Sequence, residues 1–445
     1  LGDQAIQNKL KLPVIEGPAR SESVGVIGSG PAGLSFAYQM ARRGYAVTVY
    51  DSNDAPGGML RHGIPDYRLP PTVLDAEIQR ILDLGVDLRL NTRIGTDVSA
   101  DELRKKHDVI FLGVGAGLGR ALGIQGEDGP HVYSGVEFLE QYSRGQAPEV
   151  GERVVVIGGG NTAIDAARSA RRLGAEVRIL YRRTREEMPA IAGEVDETIE
   201  EGVAINFLVS PSAIRRKGED IQAMVVQRMQ LGDQDESGRR RPVPVPGSEF
   251  EIETDAVIVA VAQRPDWQGL SGFGQNGEWA SENQDPQQHH VWAGGDVTGP
   301  GLASMAIGHG RMAAENADAR LRGLPKSASV EHPGVSTADL NLDYYKSAER
   351  VTTPVVDPET RVAEPDLEVA RTITEEEFFK EADRCLSCGM CIGCSYCWMF
   401  CNADGFARVI EPGPGEHFVL RLDRCESCGK CLEVCPCGFL SLDTQ

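Results

Sequence analysis

Two stretches of this chain repeat one pattern, and that pattern leaves little freedom of fold. Residues 23–28 (S-V-G-V-I-G) read as a short buried strand. Gly28-Ser29-Gly30-Pro31-Ala32-Gly33 follows, then an amphipathic helix to about Arg43 and a second strand, 46–50, that ends at Asp51. The order is strand, G-x-G-x-x-G, helix, strand, acid. The first glycine makes the turn, the second admits a pyrophosphate close to the backbone, and the third lets helix and strand pack. N–H groups at the helix start stabilise phosphate. Asp51, 18 residues after Gly33, is placed to accept hydrogen bonds from a ribose.

The pattern returns further on. Residues 153–157 read as a strand, Gly158-Gly159-Gly160-Asn161-Thr162-Ala163 as the turn, and the helix runs to about Leu173 before a second strand, 176–181. Alanine in place of the third glycine is tolerated by the motif. The strand end differs: where the first unit has Asp51, this one has Tyr181-Arg182-Arg183. An acid there suits the free 2′-hydroxyl of NAD, whereas guanidinium groups pair with the 2′-phosphate of NADP. Two readings stand for Arg182 and Arg183: phosphate ligands, or solvated surface charges. A third element, V-W-A-G-G-D-V-T-G-P-G-L-A-S-M-A-I-G-H-G over 291–310, reads as a strand into Gly294-Gly295-Asp296 and a helix from near Leu302. In flavoproteins built from two such units, this stretch returns to the first domain. The aspartate bonds the ribityl chain and the helix start faces the flavin ring. An ordinary strand–turn–helix is the plainer alternative.

The cysteines are lopsided. Residues 1–384 contain none and residues 385–445 hold all eleven. Eight form two runs of one spacing: Cys391-x2-Cys394-x2-Cys397-x3-Cys401 and Cys425-x2-Cys428-x2-Cys431-x3-Cys435, with Pro436 after the second. This is the ligand spacing of a two-cluster ferredoxin, in which three thiolates of each run hold one 4Fe–4S cluster and the fourth crosses to the other. From Cys385 to Cys401 only the gap from Cys397 to Cys401 has three residues, so Cys391, Cys394 and Cys397 form the near triplet, completed by Cys435. Cys425, Cys428 and Cys431 are completed by Cys401. A disulfide-stapled secreted chain would spread its cysteines in even number, and a zinc site needs only four ligands. Cys385, Cys388 and Cys437 exceed the eight. Cys385-x2-Cys388 reads as spare thiols or as part of a further cluster completed by a partner chain. Tyr396 and Trp398, between ligands, are expected to shield a cluster from water.

The net charge of −21 argues against nucleic acid or an anionic membrane as partner. No apolar run approaches the roughly 20 residues of a membrane helix. No signal peptide is visible over residues 1–20, although the chain starts at Leu1 rather than Met. Iron–sulfur ligands call for reduced thiols, so the expected compartment is the cytoplasm.

At G-G-M-L-R-H-G-I-P-D-Y-R-L-P (57–70), G-G-G-N-T-A-I-D-A-A-R (158–168), Y-R-R-T-R-E-E-M-P-A (181–190) and A-G-G-D-V (293–297), the chain resembles the NADPH-oxidising small subunit of bacterial glutamate synthase and its relatives. The resemblance covers roughly residues 20–325. It implies FAD at Gly28, Gly30, Gly33, Asp51, Gly58 and Asp296, and the nicotinamide nucleotide at Gly158, Gly160, Asn161, Thr162, Arg182 and Arg183. Pro31, Ala32, Met59, Arg61, Gly115, Gly295 and Ala303 join the candidate cofactor-binding set. Residues 376–445, beginning with E-A-D-R-C-L-S-C-G (381–389), resemble the ferredoxin tail of one branch of these relatives. Those proteins exchange electrons with larger complexes such as 2-oxoacid oxidoreductases and dissimilatory sulfite reductase. Two departures stand out. Relatives commonly carry an N-terminal helical cluster domain, whereas about twenty residues precede Val24 here, so that domain is absent, truncated or replaced by a partner. Asn402 takes the place of the usual proline after the first run.

The expected fold is α/β: two Rossmann-like domains, an FAD domain interrupted by an NAD(P) domain, plus a small C-terminal α+β ferredoxin-like domain. The boundaries read as an N-terminal extension (1–20), a first FAD segment (21–120), the NAD(P) domain (121–265), a second FAD segment (266–325), a linker (326–375) and the ferredoxin domain (376–445). Within the linker, 340–345 reads as a segment docked across the flavin domain. The basic stretch 230–247 reads as a hairpin or loop. His62 lies near the flavin, as a proton relay or as a packing residue. The expected function is an FAD- and iron–sulfur-dependent NAD(P)H oxidoreductase subunit. It moves electrons between NADP or NAD, FAD and two 4Fe–4S clusters, to or from a partner redox enzyme. The alternative is a relay or docking subunit without nucleotide oxidation of its own. Hydride transfer needs no side-chain acid or base, so no catalytic residue is named. A disulfide reductase of the same fold would need a cysteine pair, and 1–384 has none.

Overall fold

The computed structural model describes residues 2–234, 238–270, 273, 275–276, 278–280, 291–325 and 334–441. Residues 235–237 of the basic stretch, 281–290 of the second FAD segment, 326–333 of the linker and 442–445 of the ferredoxin domain lie outside the described residues. The chain forms two compact units: Leu1–Ser327 with Val355–Ala370, and Ala328–Pro354 with Arg371–Gln445.

The first unit holds two parallel five-stranded sheets. In one, the spatial order is Val291–Ala293, Val109–Leu112, Ser23–Ile27, Ala46–Tyr50, Asp87–Arg89. In the other it is Val132–Ser134, Ala256–Val259, Arg153–Ile157, Glu176–Tyr181, Ala204–Phe207. Near-continuous Val/Ile runs suit parallel strands covered on both faces. The packing shows it: Val154 and Val156 enter one apolar cluster, while Val155 and Ile157 enter another on the opposite face. In each sheet the chain crosses from one side of the glycine-turn strand to the other. Ser23–Ile27 lies between Ala46–Tyr50 and Val109–Leu112, and Arg153–Ile157 between Glu176–Tyr181 and Ala256–Val259. Such switch points leave a crevice at the strands' carboxyl ends, where ligands bind in open α/β sheets.

The second sheet is inserted into the first by two short connections. Leu118–Gly119 leads out, Gln263–Arg264 leads back, and the two pair antiparallel. Helix Pro31–Ala41 packs against Ala303–Leu321 so closely that a methyl at Gly310 would lie 2.2 Å from the Ala32 carbonyl oxygen. The basic stretch forms a hairpin: Asp220–Gln234 pairs with Arg240–Pro244.

The linker divides in a way the sequence did not announce. Segment 355–370 belongs to the first unit: Val369 N–H donates to Tyr67 O at 2.9 Å and Arg361 reaches Glu200. The stretch 340–345, expected across the flavin domain, bonds within the second unit. Asn341 N–H donates to Cys435 O, and Tyr345 Oη donates to Leu386 O at 2.8 Å.

In that second unit, helix Glu375–Ala382 starts with a Thr374/Glu377 capping box. Strands Phe406–Arg408 and Phe418–Leu420 pair antiparallel, and short helices Tyr396–Met399 and Lys430–Glu433 follow the central cysteines of each run. Few side chains here are buried, among them Phe406, Val434, Cys435 and Cys437. A core this small needs a staple such as a metal centre. Among the described residues, no helix is long and apolar enough to cross a membrane.

Candidate functional site

The first glycine turn is assembled by close backbone approach. Gly28 sits at φ +97°, and a methyl there would lie 2.4 Å from the Gly113 carbonyl oxygen. A methyl at Gly33 would fall 1.9 Å from the Gly28 carbonyl oxygen, so the helix could not rest on its strand. Gly30 is the N-cap of Pro31–Ala41 and brings no side chain to its helix start. A methyl on Gly30 would meet only the Gly58 Cα, at 3.9 Å, which leaves the backbone open for a phosphate. Gly58 therefore lies against Gly30, and Gly295 against Ala32, where a methyl would be 2.8 Å from the Ala32 Cβ. These expected positions converge. Gly115 follows strand Val109–Leu112, the neighbour of Ser23–Ile27, at φ +68° with open space around its Cα.

Asp51 is buried and already bonded. Its Oδ2 accepts from Ser29 N–H at 2.7 Å and from Ser29 Oγ at 2.6 Å; its Oδ1 accepts from Asn53 N–H at 2.8 Å. Asp296 is half-buried, and burial pushes its carboxyl up while the Gly301 N–H bond opposes that. Ala303 opens the helix Ala303–Leu321 and is exposed. Met59 lies in the short helix Met59–His62, and Arg61 is tied to Pro56 O and Asp75. Beside them opens a cavity of about 510 Å3, lined by Arg61, His62, Leu74 and Arg144 among others. His62 is buried there, and burial lowers its pKa, which disfavours the protonated ring.

The second turn repeats the geometry. A methyl at Gly158 would lie 2.3 Å from the Ala260 carbonyl oxygen, and Gly160 caps Asn161–Arg172 without a side chain. Asn161 Oδ1 accepts from Ile191 N–H at 3.1 Å, and Thr162 Oγ1 accepts from Gln263 Nε2 at 3.3 Å. The two arginines separate: Arg182 is exposed, while Arg183 is buried and donates from Nε to Arg240 O at 2.8 Å. Arg240 N–H in turn donates to Glu187 Oε1, so the basic hairpin is fastened beside the strand end.

Several of these partners are not evident from the sequence motifs. Gly113 sits in L-G-V-G-A-G, a second glycine-rich strand end that could have signalled it. Ser29, Asn53 and Gln263 carry no comparable signal. Arg68, inside the 57–70 stretch, bonds Asp165 through both carboxylate oxygens, at 2.8 and 2.6 Å, and also pairs with Glu194, joining the first domain to the nucleotide domain.

In the second unit, Cys391, Cys394, Cys397 and Cys435 line one cavity of about 110 Å3, walled by Phe406, Phe418 and Leu420. Three thiols of the first run and the fourth of the second thus face a common space. Among the described residues, no three His, Cys, Asp or Glu side chains close on a single point as ligands of one ion do. The four thiols border a space instead, which fits a polynuclear cluster. Burial, with the neighbouring Cys391, Cys394 and Cys435, pushes the Cys397 thiol up to about 12. Cys401 accepts from Gly405 N–H at 3.2 Å, and a methyl at Gly405 would sit 3.3 Å from the Cys401 sulfur and 4.0 Å from the Cys425 Cα. Cys425 accepts from Ser427 N–H at 3.4 Å, and Cys425 and Cys428 both raise the Cys431 thiol, after burial. Each loop carries a left-handed pair around its middle cysteine: Gly393 and Ser395 at +70° and +71°, Ser427 and Gly429 at +53° and +75°. The loop Cys385–Cys391 has the same pair, Ser387 and Gly389 at +49° and +73°, yet Cys385 and Cys388 are exposed outside the cavity.

Two parallel sheets with glycine turns, one inserted in the other, define the class of oxidoreductases that hold FAD and a nicotinamide nucleotide on separate dinucleotide folds. The chain belongs to the pyridine nucleotide-disulphide oxidoreductase family, whose model matches residues 22–310, and residues 390–439 match the 4Fe-4S dicluster domain. Its cofactors are FAD, NAD(P) and two 4Fe–4S clusters. The matched range 22–310 has no cysteine, so it holds no disulfide of its own. The chain is 44% identical over 320 residues to the NADP(+)-dependent formate dehydrogenase subunit beta of Moorella thermoacetica, covering 70% of this chain and 45% of that one. It is 45% identical over 261 residues to the NADPH-Fe(3+) oxidoreductase subunit beta of Geobacter sulfurreducens, covering 57% and 39%. The chain thus spans less than half the length of these two relatives. It is 35% identical to the glutamate synthase [NADPH] small chain of Escherichia coli over 66% of this chain and 67% of the relative, and belongs with that family. In fold it is similar to Mycobacterium tuberculosis FprA in complex with NADPH, with a TM-score of 0.61, 20% identity, and coverage of 68% of this chain and 85% of that one.

Proposed function

We propose that this chain is the electron-transfer subunit of a larger redox enzyme, oxidising NADPH in preference to NADH and passing electrons to or from a partner. What carries this reading is the common cavity: thiols from both cysteine runs border it, in a chain that also has two dinucleotide folds. When bound, the flavin exchanges electron pairs with the nicotinamide and the clusters exchange electrons singly.

The chain's residues bind, orient and shield. Gly28, Gly30, Pro31, Ala32, Gly33 and Gly58 receive the FAD pyrophosphate at the helix start. Asp51, bonded to Ser29 and Asn53, would hold the ribose. Met59, Arg61, Gly115 and Gly295 would complete the surroundings, Asp296 would hold the ribityl chain, and the start of the helix from Ala303 would supply positive potential to a reduced flavin. Gly158, Gly160, Asn161 and Thr162 receive the nicotinamide nucleotide, and Arg182 meets its 2′-phosphate. Cys391, Cys394, Cys397 and Cys435 hold one cluster, and Cys425, Cys428, Cys431 and Cys401 the other.

The relatives' names point to the kind of partner: one is a formate dehydrogenase subunit and another a glutamate synthase chain. A 2-oxoacid oxidoreductase, sulfite reductase or glutamate synthase type of catalytic subunit fits the role, in the reducing cytoplasm. Anaerobic mixing of the reconstituted chain with NADPH tests the reading. Flavin absorbance should bleach near-stoichiometrically, followed by the broad cluster absorbance. A chain that holds both cofactors yet shows neither change is a relay subunit instead.

A further inference from the structure

Three cysteines exceed the eight of the ligand spacing, and they are not alike. Cys385 and Cys388 are exposed, whereas Cys437 is 2% exposed and lines the same cavity as Cys391, Cys394, Cys397 and Cys435. Its sulfur lies 3.8 Å from that of Cys435. The position is held from outside as well: Gly389 N–H donates to the Cys437 carbonyl at 2.7 Å, and Asn341 N–H to that of Cys435. A buried thiol serving only as filler has no need of a place on a cavity lined by four other thiols.

We propose that Cys437 is a second ligand position for the first cluster, interchangeable with Cys435. The proposal rests on the cluster assignment above. The exchange balances without oxidant or reductant. An Fe–S bond to Cys435 breaks, one to Cys437 forms, and the Cys437 thiol proton passes to the departing Cys435 sulfur. Net charge and electron count are unchanged. The two sulfurs already stand within hydrogen-bonding reach of each other, so the proton has a direct path. Cys397 has no such understudy: the remaining thiols of the cavity are all assigned as ligands or, like Cys437, sit beside Cys435.

The test uses the full chain, purified without oxygen, as wild type, Cys435→Ala, Cys437→Ala, Cys435→Ala/Cys437→Ala and Cys397→Ala. Iron and acid-labile sulfide are counted, and EPR spectra are taken of reduced and oxidised samples. Two four-iron clusters give eight irons in the wild type. A wild type well short of eight refutes the cluster assignment itself. With eight established, Cys435→Ala should keep eight irons with an altered reduced spectrum. The double variant and Cys397→Ala should lose iron, with a three-iron signal when oxidised or no signal from that cluster. Iron loss in Cys435→Ala as large as in the double variant overturns the proposal. So does a double variant that retains all eight, and so does a Cys435→Ala protein that fails to accumulate while Cys437→Ala does.

Discussion

Arg183 turns inward from the end of its strand and donates through Nε to the carbonyl oxygen of Arg240, 57 residues away. Two adjacent arginines that look equivalent in the sequence therefore have different surroundings. Arg182 stays exposed at the strand end, where a 2′-phosphate is expected, while Arg183 fastens the basic hairpin beside it.

The pair should separate kinetically. Arg182→Ala should raise KM for NADPH about tenfold and leave KM for NADH nearly unchanged, since a charged hydrogen bond is worth about 1.5–3 kcal/mol. Arg183→Ala should raise both, because it loosens the hairpin rather than removing a phosphate ligand. Steady-state dye reduction with each nucleotide measures this. Equal effects of Arg182→Ala on the two nucleotides would remove that residue from phosphate recognition.

A second prediction concerns a buried ion group. Glu201, whose side chain is 0% exposed, pairs with Arg168 at 2.6 Å and Arg172 at 2.6 Å, and both guanidinium groups stack on the Tyr67 ring. Burial pushes the Glu201 carboxyl up, but the bonds from Arg168 and Arg172 more than offset this and leave it below the usual range. Removing the carboxylate leaves buried Arg172 without the carboxylate it pairs with, while Arg168 keeps Glu197 at 2.9 Å. Glu201→Gln should destabilise the chain by about 3–5 kcal/mol in urea unfolding. A depressed carboxyl stabilises above its unfolded pKa and loses that contribution as pH falls below about 4.3. The variant should therefore lose less stability than wild type on going from pH 5 to pH 3. A cost within about 1 kcal/mol would show that the cluster is already paired through other groups.

Local order was legible where it is written locally. Both glycine turns, their strands and their helices follow from spacing and burial periodicity within about thirty residues, and the helices end within two residues of the expected positions. The four thiols that the cysteine spacing groups together line one cavity, and the backbone around the middle cysteine of each run is set by short-range geometry. What escaped depends on distant partners. Nothing near Arg183 announces Arg240. The docking of 355–370 onto Tyr67 and Glu200 has no apolar period to betray it. Cys437 lies outside the spacing rule, so only the cavity could single it out.

The last prediction concerns His107, behind the first sheet. Its ring rests so close to the strand that a methyl at Gly25 would lie 2.6 Å from it. Lys106 Nζ donates to the Tyr50 hydroxyl, which is also hydrogen-bonded to His107 Nε2 at 3.0 Å. Burial, helped by Lys106 and Arg89, pushes the pKa of His107 down to about 4. The folded state thus disfavours the protonated ring, and the unfolded chain, with a pKa near 6.5, binds the proton more tightly. Stability is then complete above about pH 6.5 and is lost as pH falls towards 4. His107→Gln should flatten the fall in Tm between pH 7 and pH 5, by an amount corresponding to about 1 kcal/mol once solvent screening is allowed for. Gly25→Ala should cost about 1–3 kcal/mol by forcing the ring off the strand, and the double substitution should recover some of that cost. Thermal unfolding followed by far-ultraviolet circular dichroism at each pH reads all three. A His107→Gln protein with the same pH slope as wild type would mean that the ring is solvated in the folded chain.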